Sequence, residues 1–333
     1  MHHLQKISAS ALVAGLLLTN SLLAHAAPTT PLNHHKFTAV VVSDSSNNRM
    51  QRFSLRGFYK TKWGSFGTEN GQLNSPGGVG VDKRGNIYVA DDNNNRIQKF
   101  TCKGDYLDQW GTLGTDNSQF EHPYSVTLDS KDRVYVVDTF NNRIQKFTKK
   151  GKFITKWGSF GSGDGQFNEP GAIAVNDLNE VYVVDGLNNR IQKFTADGKF
   201  LTQWGGQGTE PGKFNYPIGI ATDHHQFVYV VDFENHRVQK FTRNGKFIRQ
   251  WGTEGTGDGQ FNYPGDVAVH PLYGLIYVAD TYNNRIQVFT SRGKYIKQFA
   301  RTGSGDGELN TPWGLTVAML PNKCSINSQD EIG

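Results

Sequence analysis

The chain is patterned in short alternations of apolar and polar residues. Between Pro123 and Glu169 (PYSVTLDSKDRVYVVDTFNNRIQKFTKKGKFITKWGSFGSGDGQFNE) lie four runs rich in β-branched and aromatic residues: Val126–Leu128, Val134–Val137, Arg143–Phe147 and Phe153–Trp157. The turn-formers Asp129-Ser130, Asn141-Asn142 and Lys150-Gly151 part them. Such runs predict β-strands, and no interval is long enough for an ordinary helix. The same pattern returns behind Pro76, Pro123, Pro170, Pro217, Pro264 and Pro312, spaced by 47 residues four times and then by 48. A fixed period of this size marks a repeat array. Four antiparallel strands per repeat, set around a ring, make an all-β propeller in which each repeat is one four-stranded blade.

The ends of the chain show how the ring closes. A segment like Val-Tyr-Val-Val-Asp, followed by Asn-Asn-Arg, recurs with Asp44, Asp91, Asp138, Asp185, Asp232 and Asp280, which predicts six second strands. The first copy lacks an opening strand, since only PTTPLNHHK precedes Phe37, while a surplus strand follows Pro312. Residues 313–319 are therefore expected to pair beside residues 37–43, so that the tail completes the first blade and leaves no open edge. The predicted organisation is a leader at 1–26, a short segment at 27–36, a six-bladed propeller at 37–319 and a tail at 320–333.

Composition adds a compartment. Lys6, the apolar stretch Ala11 to Leu23 and Ala24-His25-Ala26 form the pattern of a secretory signal peptide, with an uncleaved anchor as the alternative. The apolar stretch is short for a membrane span, and no other candidate follows, so the mature chain is expected to be secreted or periplasmic without a transmembrane segment. The 35 Lys and Arg against 30 Asp and Glu give a formal +5. Removal of Lys6 lowers this by one, too small a balance to point to nucleic acid. Hydrophobic content of 36% with 38 glycines suits an architecture of narrow sheets and many turns. Two cysteines, Cys102 and Cys324, are expected on the same face of the ring, where an exported protein leaves open a bridge that pins the tail or two free thiols.

Gly-Asn-Ile-Tyr-Val-Ala-Asp at 85–91, Asn-Asn-Arg-Ile-Gln-Lys-Phe at 94–100 and a closing Trp-Gly resemble the NHL repeat, six times over from residue 37 to about 319. The resemblance implies a six-bladed β-propeller. It leaves function open, because the family includes RNA-binding domains of tripartite-motif proteins, sensor domains of bacterial kinases and the peptidyl-hydroxyglycine lyase.

Residues that recur in every blade are read as structural. The pairs Asp44/Arg49, Asp91/Arg96, Asp138/Arg143, Asp185/Arg190, Asp232/Arg237 and Asp280/Arg285 stand either as a ring of binding groups or as carboxylates that cap loop amides and hold a guanidinium. The second reading is preferred, since a ligand seldom needs six equivalent copies. The glutamines at Gln51, Gln98, Gln145, Gln192, Gln239 and Gln287 are expected to hydrogen-bond between strands or blades.

Residues that break the repeat are the candidate site. The loops joining second to third strands and those joining one blade to the next share one face. The first set contributes Phe140, Leu187, Phe233 and Tyr282; the second contributes His122, Tyr124, Tyr216, Tyr263, Asp266 and Trp313. An aromatic, partly polar face around a central opening suits a protein or peptide partner. The turns of the opposite face carry a broken basic rim with Arg56, Lys103, Lys149, Lys150, Lys199, Arg243 and Arg292. Catalysis is not favoured, and no cofactor or metal is expected. The histidines do not recur as an inward set able to hold a metal, and no nucleophile elbow is present.

Overall fold

The structure is a computed structural model that describes residues 36–326. The expected leader lies outside them. Six four-stranded antiparallel sheets are present. In the third blade the strands are Pro123–Leu128, Val134–Asp138, Arg143–Phe147 and Phe153–Trp157, from axis to rim. These are the runs read from the sequence, with the inner strand starting earlier, at the proline itself. In the first blade the order is Pro312–Pro321, Lys36–Asp44, Arg49–Ser54 and Tyr59–Trp63. Val40 lies opposite Val317 and Val42 opposite Leu315, so the tail closes the ring as expected, through a strand of 10 residues. Each innermost strand touches the next in cyclic order, and Pro312–Pro321 touches both Pro76–Val81 and the inner strand of the sixth blade, Asp266–Val269.

Burial explains why the second strands lack alternation. Every residue of Val134–Asp138 is buried, because one blade packs on each side of it. The outer strand Phe153–Trp157 alternates between half-buried and exposed. Apolar contact is shared between neighbouring blades: Tyr135, Val137 and Ile144 of the third pack with Ile173, Val183 and Phe194 of the fourth. Each such side chain contributes about 1.5–3 kcal/mol on burial.

The recurrent closing tryptophan also makes a contact between blades. Gly151, in the turn between third and fourth strands, has φ +72°, and a Cβ there would come within 2.9 Å of the Trp110 ring of the preceding blade. Glycine thus serves both the left-handed turn and the indole lying on it. Beyond the closing strand, the short 3₁₀ turn Asn322–Cys324 carries a cysteine bonded as a disulfide to Cys102, with Cα atoms 5.5 Å apart. Both sulfurs sit in a small apolar cluster with Ala39 and Leu320. Among the described residues no helix is long and apolar enough to cross a membrane.

Candidate binding face

The scaffold of the loop face is a repeated hydrogen-bond network. In the third blade Asp138 is fully buried. Its Oδ1 accepts the Glu121 backbone N–H at 2.8 Å and the Asn141 amide at 2.9 Å, and its Oδ2 accepts Arg143 Nε at 2.6 Å and Gln145 Nε2 at 3.0 Å. Four donors occupy the acceptor positions of one carboxylate. Burial pushes the Asp138 and Asp232 carboxyls up, opposed by these bonds. Arg143 reaches on to the carbonyls of Thr115, Asp116 and Gln119, in the connection that enters the same blade. Gln145 donates to the Gln119 carbonyl and accepts the Ser118 N–H. The pairs Asp44–Arg49, Asp91–Arg96, Asp185–Arg190, Asp232–Arg237 and Asp280–Arg285 repeat the contact at 2.6–2.7 Å. In the first blade Arg49 grips Ser304, Gly305 and Glu308, so the network also fastens the closing segment.

A second device fixes the residues ahead of each proline. Ser75, His122, Glu169, Tyr216, Tyr263 and Thr311 all have φ between +47° and +53°. The left-handed conformation is costly for such side chains, and here each backbone N–H is held by the preceding blade. Asn95 accepts from His122, Asn189 from Tyr216, and in the fifth blade His236 Nδ1 accepts from Tyr263 at 3.1 Å. His236 thereby replaces the asparagine of the other blades. This geometry turns the side chains of His122, Tyr216 and Tyr263 onto the loop face.

The position after each proline alternates around the ring: Gly77, Tyr124, Gly171, Ile218, Gly265 and Trp313. A Cβ at Gly77 would lie 2.5 Å from the Tyr124 backbone carbonyl, so glycine there allows the two inner strands to approach. Tyr124, Ile218 and Trp313, from alternate blades, narrow the axial mouth on this face. Beneath them is a cavity of about 10 Å³, with Asp266 in its wall, roomy enough for about one water. The sequence reading placed the aromatic residues around a central opening, whereas the structure crowds that opening with side chains. Ile218 was not among the candidates. The alternation that betrays it is visible once the six prolines are stacked. Below lies an axial cavity of about 180 Å³ lined by small residues such as Ala172, Ala174 and Ala221.

Most of the aromatic candidates meet. Trp313 lies 5.8 Å from Tyr124 and 5.9 Å from Phe233, ring centre to ring centre. Phe233 in turn contacts Tyr216, Tyr263 and Tyr282 at 6.1, 4.9 and 6.3 Å. One continuous aromatic patch thus joins rings of the third, fifth and sixth blades, of the connections entering the last two, and of the closing strand. Tyr282 is 51% exposed, which leaves a ring available to a partner. His122 and Phe140 form a separate pair at 4.7 Å, and Leu187 stands exposed on the loop of the fourth blade.

Two carboxylates adjoin the patch. Asp266 takes the place held by Gly78, Ser125, Ala172, Gly219 and Gly314 in the other blades. It accepts the N–H groups of Val267 at 2.8 Å and Leu315 at 3.0 Å, and burial raises its carboxyl to about 7 against those bonds. Asp92 meets His122 Nδ1 at 3.0 Å; burial raises it to about 6, with His122 opposing. The Tyr124 hydroxyl is held well above its ordinary value by burial and by the nearby Tyr216, Asp92 and Asp266. Elsewhere His270 is buried and its Nδ1 accepts the Leu272 and Tyr273 N–H groups. Among the described residues no three of His, Cys, Asp and Glu are placed to hold a metal together.

Residues 112–203 match a family described as 6-bladed beta-propeller, and residues 73–100, 214–241 and 261–289 match the NHL repeat. A comparison with curated protein sequences finds no match. Among solved structures, the chain is similar to a streptogramin B lyase at 16% identity, covering 86% of this chain and 87% of that one with a TM-score of 0.59. Virginiamycin B lyase from Staphylococcus aureus is 17% identical over 86% of this chain and 93% of that one, with a TM-score of 0.56. A chain of a nidogen/laminin complex is 16% identical, covering 84% and 98%, with a TM-score of 0.60. Identities this low speak to the fold alone. The chain thus carries NHL repeats and folds as a six-bladed β-propeller closed by its tail.

Proposed function

We propose that this protein is an exported, non-catalytic binding or scaffold module that recognises a protein or peptide partner on its loop face. The observation that carries the proposal is the continuous patch of Tyr124, Tyr216, Phe233, Tyr263, Tyr282 and Trp313, set on a hydrogen-bonded scaffold and ending in exposed Tyr282. Rigid aromatic residues give large contact area at small entropic cost and dominate the energetics of interfaces. Export rests on the leader pattern at 1–26. The neighbour from a nidogen/laminin complex is consistent with a protein partner.

The test is crosslinking in the native compartment, followed by identification of captured proteins, for wild type and for a Phe140→Ala/Tyr282→Ala variant. Both changed side chains are about half exposed, so the fold tolerates their loss. Capture that weakens in the variant supports the reading; unchanged capture of every partner sinks it. A lyase reading has the likeness to two lyase folds behind it. Lyase turnover by the purified protein on a peptidyl-hydroxyglycine substrate would favour that alternative.

A further inference from the structure

We propose that the loop face takes a cationic partner: a peptide or protein segment that presents lysine or arginine side chains to the aromatic patch. The inference rests on reading this face as a recognition surface, and adds the chemistry of what it recognises.

The charge of the molecule is sorted between its two faces. The six connections between blades, residues 64–75, 111–122, 158–169, 205–216, 252–263 and 300–311, carry ten carboxylates and two cations, Lys213 and Arg301. Both cations are engaged locally. Lys213 Nζ donates to the Gly205 carbonyl at 3.0 Å, and Arg301 pairs with Glu308 at 3.0 Å. The loops between second and third strands add Asp92 and Glu234 and no lysine or arginine. The arginines that open the third strands are buried against their aspartates, so they do not offset this surface. The basic residues that make the whole chain formally +5 lie elsewhere, many in the turns of the opposite face, including exposed Arg56, Lys103, Lys150 and Arg243.

Several of the carboxylates surround the rings. Asp92 acts on Tyr124, and Glu169 and Glu234 act on Tyr216, each opposing ionisation of the hydroxyl after burial has done so. Tyrosine and tryptophan faces attract lysine and arginine through the ring quadrupole, most strongly Trp, and adjacent carboxylates add to that attraction. Electrostatic complementarity of this kind steers encounter and rejects partners of like charge. An acidic, aromatic surface therefore selects against phosphate-rich nucleic acid and acidic peptides alike.

The test is selection of a random displayed-peptide library on the purified mature protein, followed by Kd measurements by fluorescence anisotropy on representative synthetic peptides. Two variants accompany the wild type: Asp92→Asn/Glu169→Gln/Glu234→Gln, which keeps side-chain shape, and Phe140→Ala/Tyr282→Ala. The expected result is enrichment of lysine and arginine, with binding about tenfold weaker in the carboxylate variant and weaker again at high salt. Peptides without cationic residues that lose affinity in the Phe140→Ala/Tyr282→Ala variant would overturn the charge assignment while leaving recognition on this face intact. Binders indifferent to both variants, or no binders, would overturn both.

Discussion

Replacing Asp138 by alanine should be among the most damaging single changes in the protein, although Asp138 is fully buried beneath the loop face. The substitution deletes the acceptor of four hydrogen bonds and leaves the Arg143 guanidinium, itself 7% exposed, without its counter-charge. Breaking a buried ion pair from one side costs about 3–5 kcal/mol, and each amide left unsatisfied adds about 1 kcal/mol or more. Arg143 keeps its carbonyl partners in the connection, which limits the total to about 5 kcal/mol. At roughly 2–4 °C per kcal/mol for a domain of this size, thermal unfolding followed by circular dichroism should shift down by about 10–20 °C. Asp138→Ala/Arg143→Met should recover part of the loss, because the orphaned cation is gone. The surface pair Lys62–Asp306, at 2.8 Å but with both side chains largely exposed, supplies the contrast. Lys62→Met should leave the midpoint unchanged. An Asp138→Ala midpoint within about 2 °C of wild type would refute the claim that this network holds the connections between blades.

Other expectations follow from single contacts. Gly314→Ala places a Cβ 2.2 Å from the Gly77 carbonyl and 2.8 Å from Gly78 Cα, so the closing strand must shift; a loss of about 1–3 kcal/mol in urea unfolding is expected. Cys102→Ser opens a bridge that spans 222 residues of sequence, and the chain-entropy limit for such a loop is about 5 kcal/mol. A fall in unfolding midpoint matched by reduced wild type, with no further fall on reducing the variant, is the expected pattern. Asp266 has a raised carboxyl, so its contribution to stability is fully present below the unfolded value near 3.8 and is lost as pH rises through about 7. The stability of Asp266→Asn relative to wild type should therefore improve as pH rises from about 4 to 8, as read by unfolding at each pH.

Much of the fold was legible because the repeat is a physical unit written six times. The 47-residue spacing of the prolines, the VYVVD-type strands and the missing first strand together dictated the blade count and the partner of residues 37–43. The scaffold of the loop face was legible in type: Asp138, Arg143 and Gln145 recur because each closes part of one network, although its reach into the neighbouring connection is a tertiary fact. What the sequence hid was the axis. Ile218 looks like an ordinary strand residue until the six prolines are aligned, and the structure shows it at the mouth with Tyr124 and Trp313. Likewise the candidates formed one list, while the structure separates His122 and Phe140 from the main aromatic patch. The order of blades along the chain carries no record of which rings meet across the axis.

The most direct test of the account is photo-crosslinking in the native compartment from two positions on opposite faces. A photoreactive phenylalanine at Tyr282 samples the aromatic loop face, and the same group at Lys150 samples the basic turns. The account predicts covalent partner adducts from position 282 and none from position 150. Adducts formed at 150 but not at 282 would contradict it.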